Sequence, residues 1–463
     1  MKKTFKKSLS LFMALVFTMS ACVIGFSADT KDYRIISPYE DVIWEGENAW
    51  GAYKGNLHTH STVSDAEDDM RDMIIEYYNQ GFDFLCMTEH GITGKAWNEK
   101  PTELPLYLYQ KIIGNIPHNL TDEEFAAITS GSYLVNGKAR GNGMVCLTGG
   151  NELNGVTMTK CHVNGLFLPE GVGDDNWGFE NNHEYAVKLA DEAGGISFIN
   201  HPGDWLNSKY DRDAVSDPKN VKYFGDIILK YDSCYGMEVF NESNSVTRYD
   251  RILWDNILMY CLPYGKTVIG FANGDTHKLV NVNTSFSVYM MEDNTVENIK
   301  KTMKSGSSFM VTRVLPTDPD LGPEIEFNKK REFNPYPTFS NISVDGHKIT
   351  VSVKDCYNIQ WVGNGKVIAS QDINQSSEAT TYTLDLDQIE EAENLLYVRC
   401  QLLGSDGCTL TQAFPIDNGT EKKVFEEDNS LKAKIENFFF RLFSLRFFVL
   451  FSVLATKIKN KLA

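Results

Sequence analysis

The feature that most constrains the fold is an alternation of short apolar runs with amphipathic segments between residues 53 and 312. Apolar runs of about four to eight residues are typical of buried strands, and apolar residues spaced by three and four indicate helices that pack on them. The alternation therefore predicts a chain of βα units, in the α/β fold class. We predict seven strands, at residues 56–58, 82–87, 144–148, 163–168, 196–200, 236–240 and 267–271.

Helices are predicted between several of these strands. The first has a single apolar face, formed by Met70, Met73, Ile74, Tyr77 and Tyr78. Gly81 is placed to end this helix. Two further helices are predicted near residues 184–192 and 246–260. Residues 93–143 do not fit the repeat, so we predict an inserted loop-and-helix segment there, of the kind that usually shapes a substrate entrance.

The pattern changes after Pro316. Short alternating strands follow, at residues 342–344, 348–353, 359–362, 380–386, 395–403 and 409–414. A period of two with frequent turn residues is typical of a small all-β sandwich. The predicted order of segments is a signal peptide (1–28), an α/β domain (29–315, with the insertion at 93–143), a β-sandwich domain (322–417), a charged linker (418–435) and an apolar, basic C-terminal segment (436–463).

Residues 1–28 combine four lysines, an apolar stretch and then small residues, which is the pattern of an export signal. Two kinds of cleavage fit. Residues 19–22 resemble a bacterial lipoprotein box that would leave a lipidated Cys22, whereas residues 25–27 suit ordinary signal peptidase. Ordinary cleavage is favoured, because Met19 stands where such boxes usually have Leu. We therefore expect an exported protein, extracellular or at the cell surface.

Residues 438–455 are rich in Phe and Leu and are followed by three lysines, so this segment is close to membrane-spanning length. Arg446 lies in the middle of it and would cost about 2.5 to 3.5 kcal/mol at the bilayer centre. An amphipathic helix lying on anionic lipid is the alternative to a spanning segment. Both interpretations place this end at a bacterial-type membrane.

The formal charge of −18 conceals an uneven distribution. Residues 1–28 carry +4 and residues 429–463 carry +6, so the 400 residues between them carry −28. Such an acidic body is not suited to general nucleic-acid binding, because the phosphate backbone would be repelled. The chain contains no CxxC pair, so a thiolate metal site is not expected, and the cysteines beside apolar runs predict few or no disulfides.

Potential metal ligands follow nearly every predicted strand of the α/β domain. His58 and His60 lie two residues apart, so both rings project from the same face of a strand. The other candidates are Asp65, His90, Glu152, His162, His201, Asp275 and His277. Each alone has a structural explanation, but strand ends converge on one face of a βα barrel, so nine such residues together predict a metal centre.

Six imidazoles and three carboxylates without a thiolate suit Zn, Mn or Fe rather than Ca or Mg. Nine donors exceed the needs of one tetrahedral ion, so two or three divalent ions are predicted.

The motifs that carry these residues occur in a characteristic order. HxHxxxxD at His58 is followed by TEH ending at His90, by a glycine-preceded Glu152 with a histidine ten residues later, by His201-Pro202, and by Gly274-Asp275-Thr276-His277. This order resembles the polymerase and histidinol phosphatase (PHP) superfamily over residues 53–312. The resemblance implies a distorted seven-stranded (β/α) barrel and a centre of two or three metals held by the same nine residues, with Glu152 as a bridge.

Two positions depart from the family pattern, and neither removes a ligand. Glu89 stands where the family commonly has Asp, and Ala66 replaces the usual Gly after Asp65. Glu238 also resembles a family position, and we predict that it supports a ligand rather than binding a metal.

The first functional hypothesis is hydrolysis of a small anionic substrate, a phosphoester, by a metal-activated hydroxide. Glu152, His201 and His277 are the predicted catalytic residues, with one of the two histidines protonating the leaving oxygen. Lys160, Lys278 or Arg313 could orient the phosphate. An amidohydrolase-type C–N or acyl hydrolase would use the same centre. A non-catalytic surface-binding protein is less favoured, since none of the nine predicted metal ligands is replaced by a residue that cannot bind a metal.

Overall fold

The computed structural model describes residues 33–155, 160–174, 182–241, 247–314, 335–427 and 430. The predicted signal peptide and the predicted C-terminal membrane segment lie outside these residues, so export and membrane contact stay predictions. Within the described ranges, no helix has both the length and the apolar character needed to cross a bilayer.

Strands and short helices alternate through the first two thirds of the described chain, and strands dominate the rest. The strands are β1 (Arg34–Ile35), β2 (Gly51–Asn56), β3 (Phe84–Cys86), β4 (Leu134–Val135), β5 (Lys138–Ala139), β6 (Val145–Leu147), β7 (Asn151–Leu153), β8 (Val163–Leu166), β9 (Ile196–Ile199), β10 (Cys234–Asn241), β11 (Ile269–Asn273), β12 (Ser285–Met291), β13 (Ser308–Thr312), β14 (Thr338–Asp345), β15 (Lys348–Lys354), β16 (Asn358–Gly363), β17 (Lys366–Asp372), β18 (Thr380–Asp385), β19 (Tyr397–Gly404), β20 (Gly407–Thr411) and β21 (Phe414–Asp417). The α-helices are α1 (Met70–Asn79), α2 (Pro105–Ile112), α3 (Asp122–Ser130), α4 (His183–Glu192), α5 (Pro202–Leu206), α6 (Pro218–Lys230), α7 (Asp250–Cys261) and α8 (Val296–Ser305).

The seven predicted strands correspond to β2, β3, β6, β8, β9, β10 and β11, but they lie in two sheets. One sheet contains β2, β3 and β6 as parallel neighbours. The other has the order β11-β10-β9-β8-β7, in which β8 is antiparallel to both β7 and β9. Isolated bridges connect the segments after β2 and β3 with the other sheet: Thr59 pairs with Thr276, which follows β11, and His90 pairs with Glu152 of β7. The architecture is therefore mixed α/β, and the distorted seven-stranded (β/α) barrel stays a prediction.

The predicted first strand also ends earlier than expected. β2 stops at Asn56, and the backbone N–H of Leu57 donates to the side chain of Asn273 (2.8 Å) instead of continuing the ladder. His58 and His60 consequently lie on a buried loop past the strand end, in contact with the loop that follows β11.

The helix α1 has the predicted buried face. Met70, Met73, Ile74, Tyr77 and Tyr78 are its buried residues, and the side chain of Asp69 caps its N-terminus by accepting from Arg71. Gly81 follows with φ of +79°, a left-handed conformation that favours glycine. This packing brings the Tyr77 hydroxyl to Thr276 (2.7 Å), beneath the loop that carries Asp275 and His277.

The insertion at 93–143 contains α2, α3 and the hairpin of β4 and β5, as the predicted loop-and-helix segment requires. A capping box between Thr121 and Glu124 begins α3. Gln110 of α2 donates to the carbonyl of Ser64 (2.7 Å), so the insertion is tied to the loop that carries Asp65.

The C-terminal strands share a sheet with the α/β region. β20 pairs with β13, and β13 continues through β12 to β2, so one sheet runs from β21 to β6. A second sheet of β14, β15 and β18 packs against it, and side chains such as Phe309 and Phe339 (ring centroids 5.0 Å apart) share the core. The boundary predicted at 315–322 falls outside the described residues.

A buried ion pair joins these C-terminal strands to the helix α7. Arg399 of β19 donates from Nε and Nη2 to the two carboxylate oxygens of Asp255 at 2.7 and 2.8 Å. The Tyr397 hydroxyl donates to the same carboxylate at 2.6 Å. Because both charged side chains are almost completely buried, this contact fixes how the strands sit on the helix.

The eight cysteines of the described ranges are free, and seven of them are buried. Cys408 lies opposite Leu403 in the hairpin of β19 and β20, and not opposite Cys400. Burial raises the pKa of the Cys146 and Cys408 thiols to about 12, so these side chains act as small apolar core residues.

Candidate metal centre

The structure brings all nine predicted ligands together at one end of the two sheets. Their donor atoms form four overlapping sets, within each of which the atoms lie no more than 4.8 Å apart: His60, Asp65, His90 and His277; His58, His60 and Glu152; His58, His201 and Asp275; His90, Glu152 and His162. Most of these residues lie just past a strand end, while Glu152 lies in β7 itself. Their metal-binding role stays a prediction, but their convergence is a property of the fold.

Glu152 lies at the middle of the group and is completely buried. Its Oε1 atom is 3.0 Å from Nδ1 of His162, 3.1 Å from Nε2 of His201 and 3.2 Å from Nε2 of His58. Its Oε2 atom is 2.7 Å from Nδ1 of His90 and 3.3 Å from Nε2 of His60. A carboxylate that faces five imidazoles with two oxygens has the position that a bridging ligand requires.

Asp275 forms the second carboxylate contact. Its Oδ1 atom lies 3.1 Å from Nε2 of His60 and 3.3 Å from Nε2 of His58. The backbone of Asp275 has φ of +43° and that of His201 has φ of +24°, conformations that cost L-residues free energy. Such strain is commonly found where a side chain must be aimed at a site.

The group opens to solvent on the side of Asp65 and His277. The side chain of Asp65 is 42% exposed, and its oxygens lie 3.3 Å from Nε2 of His277 and 3.3 Å from Nε2 of His90. Glu152, His58 and His60 are completely buried on the opposite side. A substrate would therefore reach the cluster past Asp65 and His277.

Glu238 orients a ligand without joining any of the donor sets. Its Oε1 atom is 2.8 Å from Nδ1 of His58, which leaves Nε2 of that ring directed at Glu152 and Asp275. Its Oε2 atom accepts from the backbone N–H of His201 (3.0 Å). These are the contacts expected of a residue that fixes the tautomer and the direction of a ligand.

Three buried asparagines around the centre were not anticipated from the sequence. Asn200 donates to Oε1 of Glu152 (2.8 Å), Asn56 accepts from the N–H of Gly274 (2.8 Å), and Asn273 donates to Glu238 (3.0 Å). Each ends a strand or follows it directly, one or two residues before a predicted ligand. That repeated placement is a signal that could have identified them.

Glu89, the departure from the family pattern, is directed away from the donor sets. It is buried and accepts hydrogen bonds from the hydroxyl groups of Ser61 and Ser64. Burial raises the pKa of this carboxyl above its ordinary value, although the hydrogen bonds and His60 oppose the change. Glu89 therefore braces the loop that carries His60 and Asp65.

The electrostatics of the group are dominated by contacts between imidazoles and carboxylates. Burial alone would lower the pKa of the histidines, but Asp275, Glu238 and Glu152 outweigh it and hold the pKa of His58 well above 6.5. At His201 and His277 burial is likewise outweighed by carboxylate contacts, which raise the pKa of each ring to about 9. His162 differs, because burial lowers its pKa despite Glu152. Burial alone would raise the pKa of Glu152 and Asp275, but the imidazoles outweigh it and hold both well below their usual range.

The spacing of the donor atoms suits the coordination of divalent ions better than it suits hydrogen bonding among the side chains. Five buried side-chain atoms of the group make no hydrogen bond of good geometry, although imidazole or carboxylate atoms lie close to several of them: Oε2 of Glu152, Oδ1 of Asp275 and Nδ1 of His90, His162 and His201. Buried polar atoms are normally paired, so this concentration calls for a ligand. Ligands about 2.1 Å from a shared tetrahedral ion lie roughly 3.4 Å apart, which is close to most of the separations in this group.

The three cations suggested as phosphate contacts lie in different surroundings. Lys160 donates to both carboxylate oxygens of Asp204 at 2.6 and 2.7 Å. Lys278 forms an exposed pair with Glu67 (2.6 Å). Arg313 pairs with Asp406 in the turn between β19 and β20, away from the donor sets. Of the three, Lys160 is half-buried and lies two residues before His162, one of the predicted ligands.

Comparisons with known proteins were made against family models, curated proteins and solved structures. No family model matches the chain, and no curated protein matches it. Among solved structures, similarity extends to a two-domain protein of Bacteroides vulgatus that contains a predicted PHP-like metal-dependent phosphoesterase, with 15% identity, 79% of this chain and 96% of that chain covered, and a TM-score of 0.40.

Two other solved structures are similar over a shorter part of the chain. PsfC from Pseudomonas syringae has 12% identity, with 56% of this chain and 90% of that chain covered and a TM-score of 0.33. The lesion-specific endonuclease PfuEndoQ from Pyrococcus furiosus has 14% identity, with 59% of this chain and 60% of that chain covered and a TM-score of 0.31.

Proposed function

We propose that the protein is a metal-dependent phosphoesterase that hydrolyses a small phosphate ester at a centre of two or three Zn, Mn or Fe ions. The observation that carries the proposal is the overlap of four donor sets around Glu152, each with the composition of a metal site. Donor sets that share His58, His60, His90 and Glu152 are spaced for more than one ion. The motif resemblance to PHP proteins supplies the reaction class.

Eight of the nine residues at the strand ends, all except His277, would hold the ions, and Glu152 would bridge two of them. Bound divalent ions lower the pKa of a coordinated water towards neutrality and stabilise the charge that develops on a phosphoryl group. Glu238 and Asn200 keep the inner ligands oriented, so the imidazole and carboxylate donors need little reorganisation when a substrate arrives.

The proton for the leaving oxygen must come from a group that does not hold an ion. His201 and His277 are the two candidates, and His277 lies nearer to solvent, with 26% of its side chain exposed against 8% for His201. We therefore assign the proton donation to His277, with His201 as a ligand. Its contact with Asp65 (3.3 Å) would stabilise the protonated ring.

The acidic body limits which substrate can bind. With three carboxylates neutralised by bound ions, the centre is locally cationic inside a surface that repels polyanions. A small phosphoester held at the centre is consistent with both the cationic centre and the acidic surface. The sequences of residues 1–28 and 436–463 support action outside the cytoplasm and close to a membrane.

The proposal is tested with the full-length protein, before and after treatment with a chelator. The protein is assayed on an aryl phosphate, a phosphodiester, an aryl ester and an aryl amide, while bound metals are measured. We expect hydrolysis of a phosphoester that the chelator abolishes and that Zn or Mn restores. Asp275→Ala should lose this activity, and Glu67→Gln, a carboxylate on the exposed surface, should keep it.

The result decides between the alternatives. Hydrolysis of the ester or amide without the phosphoesters would support the amidohydrolase-type reaction. Phosphoester hydrolysis that does not respond to the chelator would contradict a metal-dependent mechanism.

A further inference from the structure

We infer that Lys160, held by Asp204, binds the phosphoryl group of the substrate beside the metal centre. The inference rests on the proposed phosphoesterase function and names the residue that gives it selectivity for a phosphate dianion. The observation behind it is the position of the ion pair between Lys160 and Asp204 in the fold.

The pair connects two segments that each carry a predicted metal ligand. Lys160 lies two residues before His162, and Asp204 lies in α5, where its N–H donates to the carbonyl of His201 (2.9 Å). The rings of His162 and His201 are neighbours, with centroids 5.1 Å apart. Because two residues span at most about 7 Å, the Cα atom of Lys160 lies within about that distance of the Cα atom of His162.

Lys160 retains the capacity to bind an anion. An ammonium group has three N–H donors, and two are accounted for by the carboxylate oxygens of Asp204 at 2.6 and 2.7 Å. The side chains are 31% and 23% exposed, so the pair is half-buried and within reach of solvent. Asp204 thus restrains the ammonium, while one donor can meet a phosphoryl oxygen.

The local backbone also points to a positioned side chain. Lys160 has φ of +54°, in the left-handed region that glycine favours and lysine rarely occupies. A half-buried lysine–aspartate pair by itself adds little to stability, because solvent screens it and both side chains lose conformational freedom. Strain of this kind at the edge of a site is characteristic of a residue held for binding.

The other two cations are less suited to this role. Lys278 is exposed and pairs with Glu67, and the guanidinium of Arg313 is directed to Asp406. A cation beside the ions would interact more strongly with a phosphomonoester dianion than with a phosphodiester monoanion, since the Coulomb energy scales with the charge.

The test compares Lys160→Met with Asp204→Asn in the full-length, metal-loaded protein. The measurements are KM and kcat for 4-nitrophenyl phosphate and for bis(4-nitrophenyl) phosphate, inhibition by inorganic phosphate, and metal content. Lys160→Met should raise KM for the monoester and the inhibition constant of phosphate by about tenfold or more, with a smaller change in kcat and a smaller effect on the diester.

The control variants separate binding from structure. Asp204→Asn keeps the ammonium, so its KM should stay within about threefold of the wild-type value. Lys160→Arg keeps a positive charge, so it should retain most of the phosphate affinity that Lys160→Met loses. Lys222→Met removes the lysine of an exposed pair with Asp226 in α6 and should change neither constant.

Three outcomes would overturn the inference: equal effects of Lys160→Met and Asp204→Asn, an unchanged KM in Lys160→Met, or a KM change that is explained by lost metal. If the wild-type protein hydrolyses phosphoesters in these cases, the proposed function holds, and only the phosphate-binding role of Lys160 is rejected. If the metal-loaded wild-type protein hydrolyses no phosphoester, the proposed function itself fails and the inference fails with it.

Discussion

Nδ1 of His58 lies 2.8 Å from Oε1 of Glu238, and both side chains are completely buried. The contact sets the direction of His58, since the ring nitrogen that faces Glu238 cannot also face the centre. Glu238, which belongs to none of the donor sets, thus holds a ring that belongs to two of them.

The first prediction concerns this contact. Glu238→Ala removes the acceptor for His58 and for the N–H of His201, so the metal affinity should fall by about 10- to 100-fold. Titration of the metal-free protein with Zn or Mn measures the change. Glu292→Ala, at an exposed position, is the matched control. An affinity equal to that of the wild-type protein would mean that Glu238 does not orient the ligand.

The second prediction concerns the stability of the metal-free protein. The pKa values of His201 and His277 are raised from 6.5 to about 9, because their carboxylate contacts outweigh burial. A group with a raised folded-state pKa stabilises fully below its unfolded value and loses that contribution as the pH rises through the folded value. Chelator-treated protein should therefore lose stability between pH 6.5 and about 9.

Thermal unfolding of the chelator-treated protein at a series of pH values measures this loss. His277→Gln should flatten the dependence, whereas His118→Gln, at an exposed position, should not. Metal-loaded protein should show the opposite trend at acid pH, since the imidazoles must be deprotonated to bind. A metal-free Tm that is constant from pH 6.5 to 9 would contradict the electrostatic assignment.

The third prediction concerns the ion pair between Arg399 and Asp255. Arg399→Met leaves Asp255 buried without its main cation, so the free energy of unfolding should fall by about 3 to 5 kcal/mol. Lys348→Met breaks the exposed pair with Asp385 and should cost no more than about 1 kcal/mol. Denaturant titration measures both. Equal effects would show that the pair does not link β19 to α7.

The fourth prediction concerns Tyr77, whose hydroxyl lies 2.6 Å from the hydroxyl of Thr59 and 2.7 Å from that of Thr276. Tyr77→Phe leaves these buried groups short of a partner, which should cost about 1 to 3 kcal/mol of stability. Because the two threonines belong to the loops of His58, His60, Asp275 and His277, metal affinity should fall as well. Tyr109→Phe, at an exposed position, should change neither property.

The sequence was most informative where function depends on local order. The convergence of His58, His60 and Asp275 could be predicted because residue type and spacing are encoded in short motifs, whereas their role as metal ligands stays a prediction. The face of α1 followed from the spacing of Met70, Met73 and Tyr77 alone. Both depend on neighbours within a few residues.

Pairing between distant segments could not be derived in this way. β12 and β13 were not among the predicted strands, and their pairing with β2 and β20 decides that the C-terminal strands share a sheet with the α/β region. The strand β7 has three residues between Gly149-Gly150 and a turn, too few to form a recognisable period. Strand partners and edges depend on the tertiary fold rather than on the local sequence.

The central claim is that the donor sets around Glu152 hold two or three ions on which phosphoester hydrolysis depends. The most direct test is a titration of metal-free protein with Zn or Mn that follows ions bound per chain and the rate of aryl phosphate hydrolysis together. The account predicts no hydrolysis without metal and a maximal rate only when at least two ions are bound per chain. Full activity without metal, or with a single bound ion, would contradict it.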